Sequence, residues 1–157
     1  MESGRPQLTY QEAISKATEI CSRSEKCTFD IVLKCREWQL SREETADVIE
    51  HLLKEKFLDQ LRYATSFVND KFRFNKWGKI KLAYALRQKQ LEEETIKEAL
   101  ARLPEEAYLN VLKDLISAKA KTIKDPNTWS RRNKLLAFAQ SHGFEVDIAL
   151  SIIEQIK

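Results

Sequence analysis

The chain has 157 residues, of which 43% are hydrophobic and 32% are charged, a composition that fits a soluble folded protein. The net charge is only +3, so the total alone does not indicate a nucleic-acid binder, although a local basic surface can bind phosphates. Three Gly and three Pro are too few for the turns that sheets and hairpins need. The composition therefore predicts an all-α protein.

The amino terminus and the cysteines indicate the cellular compartment. The first residues contain no apolar stretch of signal-peptide length, and no run approaches the roughly 18 apolar residues of a membrane span. Cys21, Cys27 and Cys35 are odd in number and lack the CxxC spacing of zinc sites. We therefore expect a cytoplasmic protein with no disulfide framework, no bound metal and no cofactor.

Three segments share one outline and reveal an internal repeat. They begin at Gln39, Gln90 and Gly143 and read QLSREETADVIEHL, QLEEETIKEALARL and GFEVDIALSIIEQI. Their apolar positions are offset by 51 and then 53 residues, and a period near 50 is typical of a supersecondary unit in tandem. Apolar residues recur every three or four positions, as in helices. We predict three tandem three-helix repeats, residues 10–58, 59–104 and 105–157, after an N-terminal tail of residues 1–9.

Residues typical of helix ends support this division. Thr28 is placed to cap the second helix of the first repeat, and Ser41 with Glu44 three residues later predicts a capping box at the third. Glutamates 92–94 fall in the first turn of a helix, where the macrodipole favours negative charge. Pro104 marks the joint between the second and third repeats.

A strongly basic segment lies in the second repeat. From Lys71 to Lys89 the chain carries seven Lys or Arg and no acid. Such a segment could neutralise DNA phosphates, and the alternative is a solvated helix surface. We predict a patch that binds DNA or a protein–DNA filament, formed by Lys71, Arg73, Lys76, Trp77, Lys79, Lys81, Arg87 and Lys89. A second basic patch surrounds a loop at residues 125–127 and comprises Lys119, Lys121, Lys124, Arg131, Arg132 and Lys134.

The aromatic residues divide by their spacing. Helical periodicity places three of them in the core or at its edge, namely Phe67, Phe72 and Tyr84. Phe74 and Trp77 lie off this periodicity, in a connector, and could contact a base or a partner. Trp38 and Trp129 are expected to pack at junctions between units.

The chain lacks the motifs of an enzyme. It has no glycine-rich phosphate loop, no metal-binding spacing of histidines, and no motif that marks a nucleophile with its base. Its two histidines, His51 and His142, stand 91 positions apart. We therefore predict a protein without catalytic activity.

Four blocks of the sequence resemble the RecX family of bacterial recombination regulators. In chain order they are TFDIVLKCREWQL from Thr28, FLDQLRYATSFVNDKF from Phe57, WGKIKLAYALRQKQL from Trp77 and KLLAFAQSHGFEVDIALSII from Lys134. The resemblance extends over residues 10–157. The chain departs from the family at Gln39 and Gln90, where a glycine is usual and only Gly143 keeps it. A left-handed conformation at each glutamine would cost roughly 1 kcal/mol.

The resemblance implies both a fold and a function. RecX-like proteins are elongated, curved stacks of three-helix repeats that lie in the groove of RecA recombinase filaments on DNA. They inhibit ATP hydrolysis and strand exchange, and so restrain homologous recombination, DNA repair and the SOS response. We therefore expect a monomeric regulator whose partners are the RecA filament and the DNA within it. The residues leave two alternatives open, a stand-alone helical DNA-binding protein and a scaffold with protein partners only.

Overall fold

The computed structural model describes residues 7–156, which form nine α-helices and one π-helical turn and contain no strand. The helices are α1 (Tyr10–Arg23), α2 (Thr28–Glu37), α3 (Arg42–Lys54), α4 (Gln60–Asp70), α5 (Lys79–Gln88), α6 (Glu93–Ala101), α7 (Glu105–Ala120), α8 (Thr128–Ser141) and α9 (Val146–Gln155), and the π-helical turn, Lys71–Asn75, follows α4. The predicted all-α fold is confirmed. Residues 1–6 of the predicted tail, and Lys157 at the end of the predicted third repeat, lie outside the described residues.

The helices pack in three successive triplets, α1–α3, α4–α6 and α7–α9. Every extensive contact between elements joins two members of the same triplet. We propose that each triplet is one structural repeat, with the boundaries predicted from the sequence.

Two hydrophobic clusters form the interior. The first triplet encloses its own core, in which Ile31 and Leu52 are fully buried. The second and third triplets share one continuous core, and its largest fully buried side chains are Tyr108 and Phe144. Cys27, just before α2, is the one buried residue of the first triplet in this shared core. The second and third triplets therefore form a single apolar body, to which the first is attached.

The start of α3 agrees with the predicted capping, whereas the start of α2 does not. The capping box of α3 is confirmed, since Ser41 and Glu44 exchange two hydrogen bonds of 2.9 and 3.0 Å. The prediction that Thr28 caps α2 was wrong, because Thr28 is already the first helical residue. Cys27 holds the cap position, and the Asp30 carboxylate accepts its backbone N–H at 3.3 Å. The spacing of three residues from Cys27 to Asp30 therefore places the cap of α2 one residue earlier than predicted.

Two glutamines take the left-handed conformation that glycine favours. Gln39 and Gln90 both have a φ of 61°, in the turns where the third triplet has Gly143 with a φ of 89°. The chain thus keeps the same turn in all three triplets. Each glutamine accepts about 1 kcal/mol of backbone strain that glycine would avoid.

The cysteines are free thiols. Cys27 and Cys35 are buried, and burial raises the pKa of both thiols. Across residues 7–156, no set of three or more His, Cys, Asp or Glu side chains is arranged to hold a metal ion. Over the same residues, no helix combines the length and the apolar character needed to cross a bilayer.

Candidate nucleic-acid interface

The amino end of α5 rests on the turn between α8 and α9. The backbone N–H of Gly78 donates to the carbonyl of His142 at 2.7 Å, and that of Ile80 donates to the carbonyl of Gly143 at 2.9 Å. A Cβ on Gly143 would lie 2.2 Å from the Cβ of Lys81, so this approach requires glycine. The joint fixes the basic segment against the third triplet.

Tyr108 of α7 connects the two sides of the same joint through hydrogen bonds. Its hydroxyl accepts the backbone N–H of Lys79 at 2.8 Å and donates to the Glu145 carboxylate. Burial, followed by the hydrogen bond to Glu145, raises the pKa of Tyr108 well above its usual value, so the hydroxyl remains a donor at neutral pH. The ring lies 5.8 Å from that of Phe72 and 5.1 Å from that of Phe144, measured between centroids.

Two lysines of the basic segment gather around Trp77. The Nζ atoms of Lys71 and Lys81 lie 5.2 and 4.8 Å from the centroid of its ring, within the range of cation–π attraction. The ring itself is half-buried and meets Phe67 edge-on at 6.3 Å. We therefore assign Trp77 the role of positioning these two lysines. The Nζ of Lys79 is held in the same way, 4.9 Å from the Tyr108 ring.

The π-helical turn carries an exposed aromatic ring and unpaired cations. Phe74 is 72% exposed, and the Arg73 guanidinium carbon lies 5.5 Å from its ring centroid. Lys76 follows with a φ of 55° and ends the turn. Arg73 and Lys76 are both exposed, and neither forms an ion pair with any residue from 7 to 156. An exposed ring beside free cations is the surface on which single-stranded nucleic acid is typically bound.

The carboxyl end of the basic segment is neutralised by carboxylates. Arg87 forms an ion pair with Glu93 at 2.5 Å, and Lys89 forms one with Asp30 at 2.7 Å. Hydrogen bonding to these acids raises the pKa of both basic groups. Partial burial alone would raise the pKa of Asp30, but its hydrogen bond with Lys89 and that with the Cys27 backbone lower it. The predicted patch therefore divides into a cluster with free cations before α5 and two ion pairs at its end.

In the second basic patch, two cations bind the chain itself. Arg131 donates to the backbone carbonyl of Ile123 in the loop between α7 and α8 at 2.6 Å, and to that of Ala120, the last residue of α7, at 2.7 Å. Lys134 donates to Asp125 at 3.0 Å, and the hydroxyl of Ser130 donates to the same carboxylate at 2.5 Å. The bond from Ser130, then the Asn127 backbone N–H and Lys134, lower the pKa of Asp125 to about 2. These residues hold the loop in shape.

The other four cations of this patch differ in whether they have a partner within the protein. Arg132 forms an ion pair with Glu154 at 3.5 Å. The Nζ of Lys119 lies 5.3 Å from an aromatic ring of α8. Lys121 and Lys124 are exposed and have no ion pair within the described part of the chain. They are the residues of this patch best placed to meet an external anion.

Two aromatic predictions were wrong, whereas those for Phe67 and Phe72 agree with the structure. Trp38 does pack, but against the first triplet's own core and not at a junction between units. Tyr84 is 63% exposed, because it lies two positions after the buried Leu82 and so faces the opposite side of α5. Trp129 is 70% exposed, because it lies in the first turn of α8, whose buried residues begin only at Leu135. Phe74 and Trp129 thus present exposed rings near the start of the second helix of adjacent triplets.

The sequence is similar to that of RecX proteins. Residues 59–100 match the family described as RecX, second three-helix domain. The chain is 23% identical over 154 residues to the regulatory protein RecX of Leuconostoc mesenteroides, which covers 96% of this chain and 58% of that protein. It is 26% identical over 151 residues to the regulatory protein RecX of Clostridium acetobutylicum, and the match covers 94% of this chain and 70% of that protein. The chain thus spans little more than half of the Leuconostoc protein and over two thirds of the Clostridium protein.

The fold is similar to that of RecX crystal structures. The RecX structure from Lactobacillus salivarius matches with a TM-score of 0.87 at 17% identity, over 94% of this chain and 96% of that chain. A second crystal structure of a regulatory protein RecX matches with a TM-score of 0.83 at 22% identity, over 92% of this chain and 71% of that chain. The resemblance to the RecX family that the sequence blocks indicated is confirmed.

Proposed function

Because this chain is similar to regulatory RecX proteins along nearly its whole length, we propose that it regulates homologous recombination and DNA repair by binding the groove of the RecA–DNA filament. It inhibits ATP hydrolysis and strand exchange by the filament, and it performs no chemistry of its own. It acts in the cytoplasm as a monomer. The observation that carries the proposal is the exposed cluster of Arg73, Phe74 and Lys76, whose cations have no ion pair among residues 7–156.

This cluster is suited to a DNA strand. Arg73 and Lys76 can bind phosphates without giving up a carboxylate partner, and such contacts make binding fall steeply with salt. The exposed Phe74 ring offers a stacking surface to an unpaired base, an interaction worth about 1–3 kcal/mol. Lys71 and Lys81, held beside Trp77, add to the positive potential around the strand.

A second contact lies on the third triplet. Trp129 presents an exposed ring there, and Lys121 and Lys124 supply free cations. Because the second and third triplets share one core, the two contacts keep a fixed separation. A rigid array that spans adjacent subunits of a filament would fix their relative orientation. ATP turnover across a subunit boundary requires that orientation to change, so turnover would slow.

The test is ATP hydrolysis by the cognate RecA in the presence of single-stranded DNA, titrated with this protein at moderate salt. We expect inhibition at near-stoichiometric amounts, below the concentration at which the protein saturates bare DNA. Absence of inhibition at concentrations that saturate bare DNA would contradict the proposal. It would favour the stand-alone DNA-binding protein that the sequence left open.

A further inference from the structure

The first triplet carries an open groove between α2 and α3, with a volume of about 970 Å³. Its apolar lining comprises Val32, Leu40, Ala46, Ile49 and Leu53. Leu53 is a large apolar side chain that remains 43% exposed. The charged residues of the lining are Arg36, Arg42, Lys54 and Glu50. The groove is therefore apolar inside and mainly positive at its rim.

Comparison with the second triplet shows that two of these charges lack a partner. With the repeat offset of 51 residues, Arg36 corresponds to Arg87 and Arg42 corresponds to Glu93. Arg87 and Glu93 form an ion pair at 2.5 Å and so satisfy each other. The first triplet has two arginines in these places, and neither forms an ion pair with a described residue. An apolar groove with an unneutralised pair of guanidinium groups is complementary to a carboxylate beside an apolar side chain.

We propose that this groove docks an acidic, apolar segment of the recombinase protein, with an apolar side chain inserted between α2 and α3 and a carboxylate bound by Arg36 and Arg42. The inference rests on the proposed function, since the recombinase filament is the partner. Arg is suited to this role because its planar group binds a carboxylate through two hydrogen bonds. An apolar anchor in a groove between helices is a common mode of peptide recognition.

A DNA strand is a poor occupant of the same groove. The rim cations could bind phosphate oxygens, but the lining contains no aromatic ring on which a base could stack, so a DNA strand would leave the apolar interior of the groove unfilled. The Glu50 carboxylate of the lining would also repel a phosphate backbone. The free cations beside exposed aromatic rings occur instead on the second and third triplets.

The contacts would then be divided between two parts of the protein. The first triplet, with its own core, contacts the recombinase protein, and the other two contact the DNA. Polar contacts join these parts, including the ion pairs of Asp30 with Lys89 at 2.7 Å and of Glu25 with Arg62 at 2.5 Å. One protein would thereby hold the strand and the wall of the filament together.

The test compares groove variants with a variant of equal charge. The groove variants are Arg36→Glu/Arg42→Glu and, separately, Leu53→Glu, and the control is Lys16→Glu/Lys113→Glu, whose lysines are exposed outside the groove. Two affinities are measured for each, one for bare single-stranded DNA and one for preformed filaments of the cognate RecA with a non-hydrolysable ATP analogue. Thermal unfolding confirms that each variant is folded, and the exposure of Leu53 favours this.

We expect both groove variants to bind filaments about tenfold or more weakly than wild type. The affinity of Leu53→Glu for bare DNA should equal that of wild type. The affinity of Arg36→Glu/Arg42→Glu for bare DNA should equal that of the control. Filament affinity equal to the corresponding reference would overturn this inference and leave the proposed function intact. Failure of the wild type to bind filaments would overturn both. A concentration-dependent dimer in sedimentation that both groove variants abolish would make a second copy the occupant and would also overturn the inference.

Discussion

A Cβ atom on Gly78 would lie 2.4 Å from the carbonyl oxygen of Gly143, so these two glycines, from different triplets, meet backbone to backbone. The chain has only three glycines, and two of them form this contact. The contact seats the start of α5 on the α8–α9 turn and thereby sets the position of the cations that precede α5. The separation of the DNA contacts that we propose on the second and third triplets therefore depends on it.

We expect Gly78→Ala to lower the free energy of unfolding by about 2 kcal/mol or more, because the new methyl group overlaps rigid backbone atoms and the joint must open. Urea denaturation measures the change. Ser15→Ala is the control, since Ser15 is exposed on α1 and its replacement should alter stability by less than about 0.5 kcal/mol. An unchanged midpoint for Gly78→Ala would show that the joint tolerates a side chain.

The left-handed glutamine at position 90 gives the opposite prediction. With a φ of 61°, Gln90→Gly should raise the free energy of unfolding by about 1 kcal/mol, because glycine adopts this conformation without a steric penalty. Lys97→Gly, in the exposed interior of α6, is the control and should lower it by about 1 kcal/mol. A loss of stability in Gln90→Gly would mean that its side chain contributes more than the strain costs.

Tyr108→Phe removes the hydroxyl that joins Lys79 to Glu145. We expect it to lower the free energy of unfolding by about 1–3 kcal/mol, because a partly buried donor and a carboxylate lose their partner. Tyr84→Phe removes a hydroxyl from a tyrosine that is 63% exposed and should be nearly neutral. Equal effects of the two substitutions in thermal unfolding would refute a structural role for the Tyr108 hydroxyl.

The loop between α7 and α8 predicts a dependence on pH. The pKa of Asp125 is lowered from 3.8 to about 2, so its charged form stabilises the fold above pH 3.8 and the benefit is lost as the pH falls through 2. The stability difference between wild type and Asp125→Asn should therefore be constant above about pH 5 and shrink between pH 4 and 2. Thermal unfolding over that range measures it. A difference that persists unchanged at pH 2 would contradict the lowered pKa.

The sequence predicted most of the fold because helices leave local signals. Apolar spacing and the Ser41–Glu44 box act within one helix or its first turn, so they mark the helices. The period near 50 residues compares one repeat with the next, so it groups the helices into triplets. The cap of α2 was misplaced by one residue because Cys27 is an unusual cap, although Asp30 three residues later marked it. Tyr84 could have been predicted as exposed from its position opposite Leu82.

The candidate site was less accessible to sequence analysis, because its electrostatics depend on contacts between distant residues. The partner of Lys89 is Asp30, 59 positions away, so the basic segment gave no sign that its end is neutralised. The half-burial of Trp77 likewise depends on how α4 and α5 pack. The sequence also does not show that Arg36 and Arg42 lack an ion pair, which becomes apparent when the structure shows that Arg87 and Glu93, at the corresponding positions of the second triplet, form one.

In the function that we propose, the free cations before α5 act on the DNA within the recombinase filament. The most direct measurement is inhibition of ATP hydrolysis by the cognate RecA on single-stranded DNA, with Arg73→Glu/Lys76→Glu compared with the equally charged Lys16→Glu/Lys113→Glu. We predict that the first variant needs about a tenfold higher concentration for half-inhibition, and that the salt slope of its bare-DNA binding falls by about 0.7 for each phosphate that the protein no longer neutralises. The control should inhibit like wild type. Equal inhibition by both variants would contradict a role of Arg73 and Lys76 in the filament.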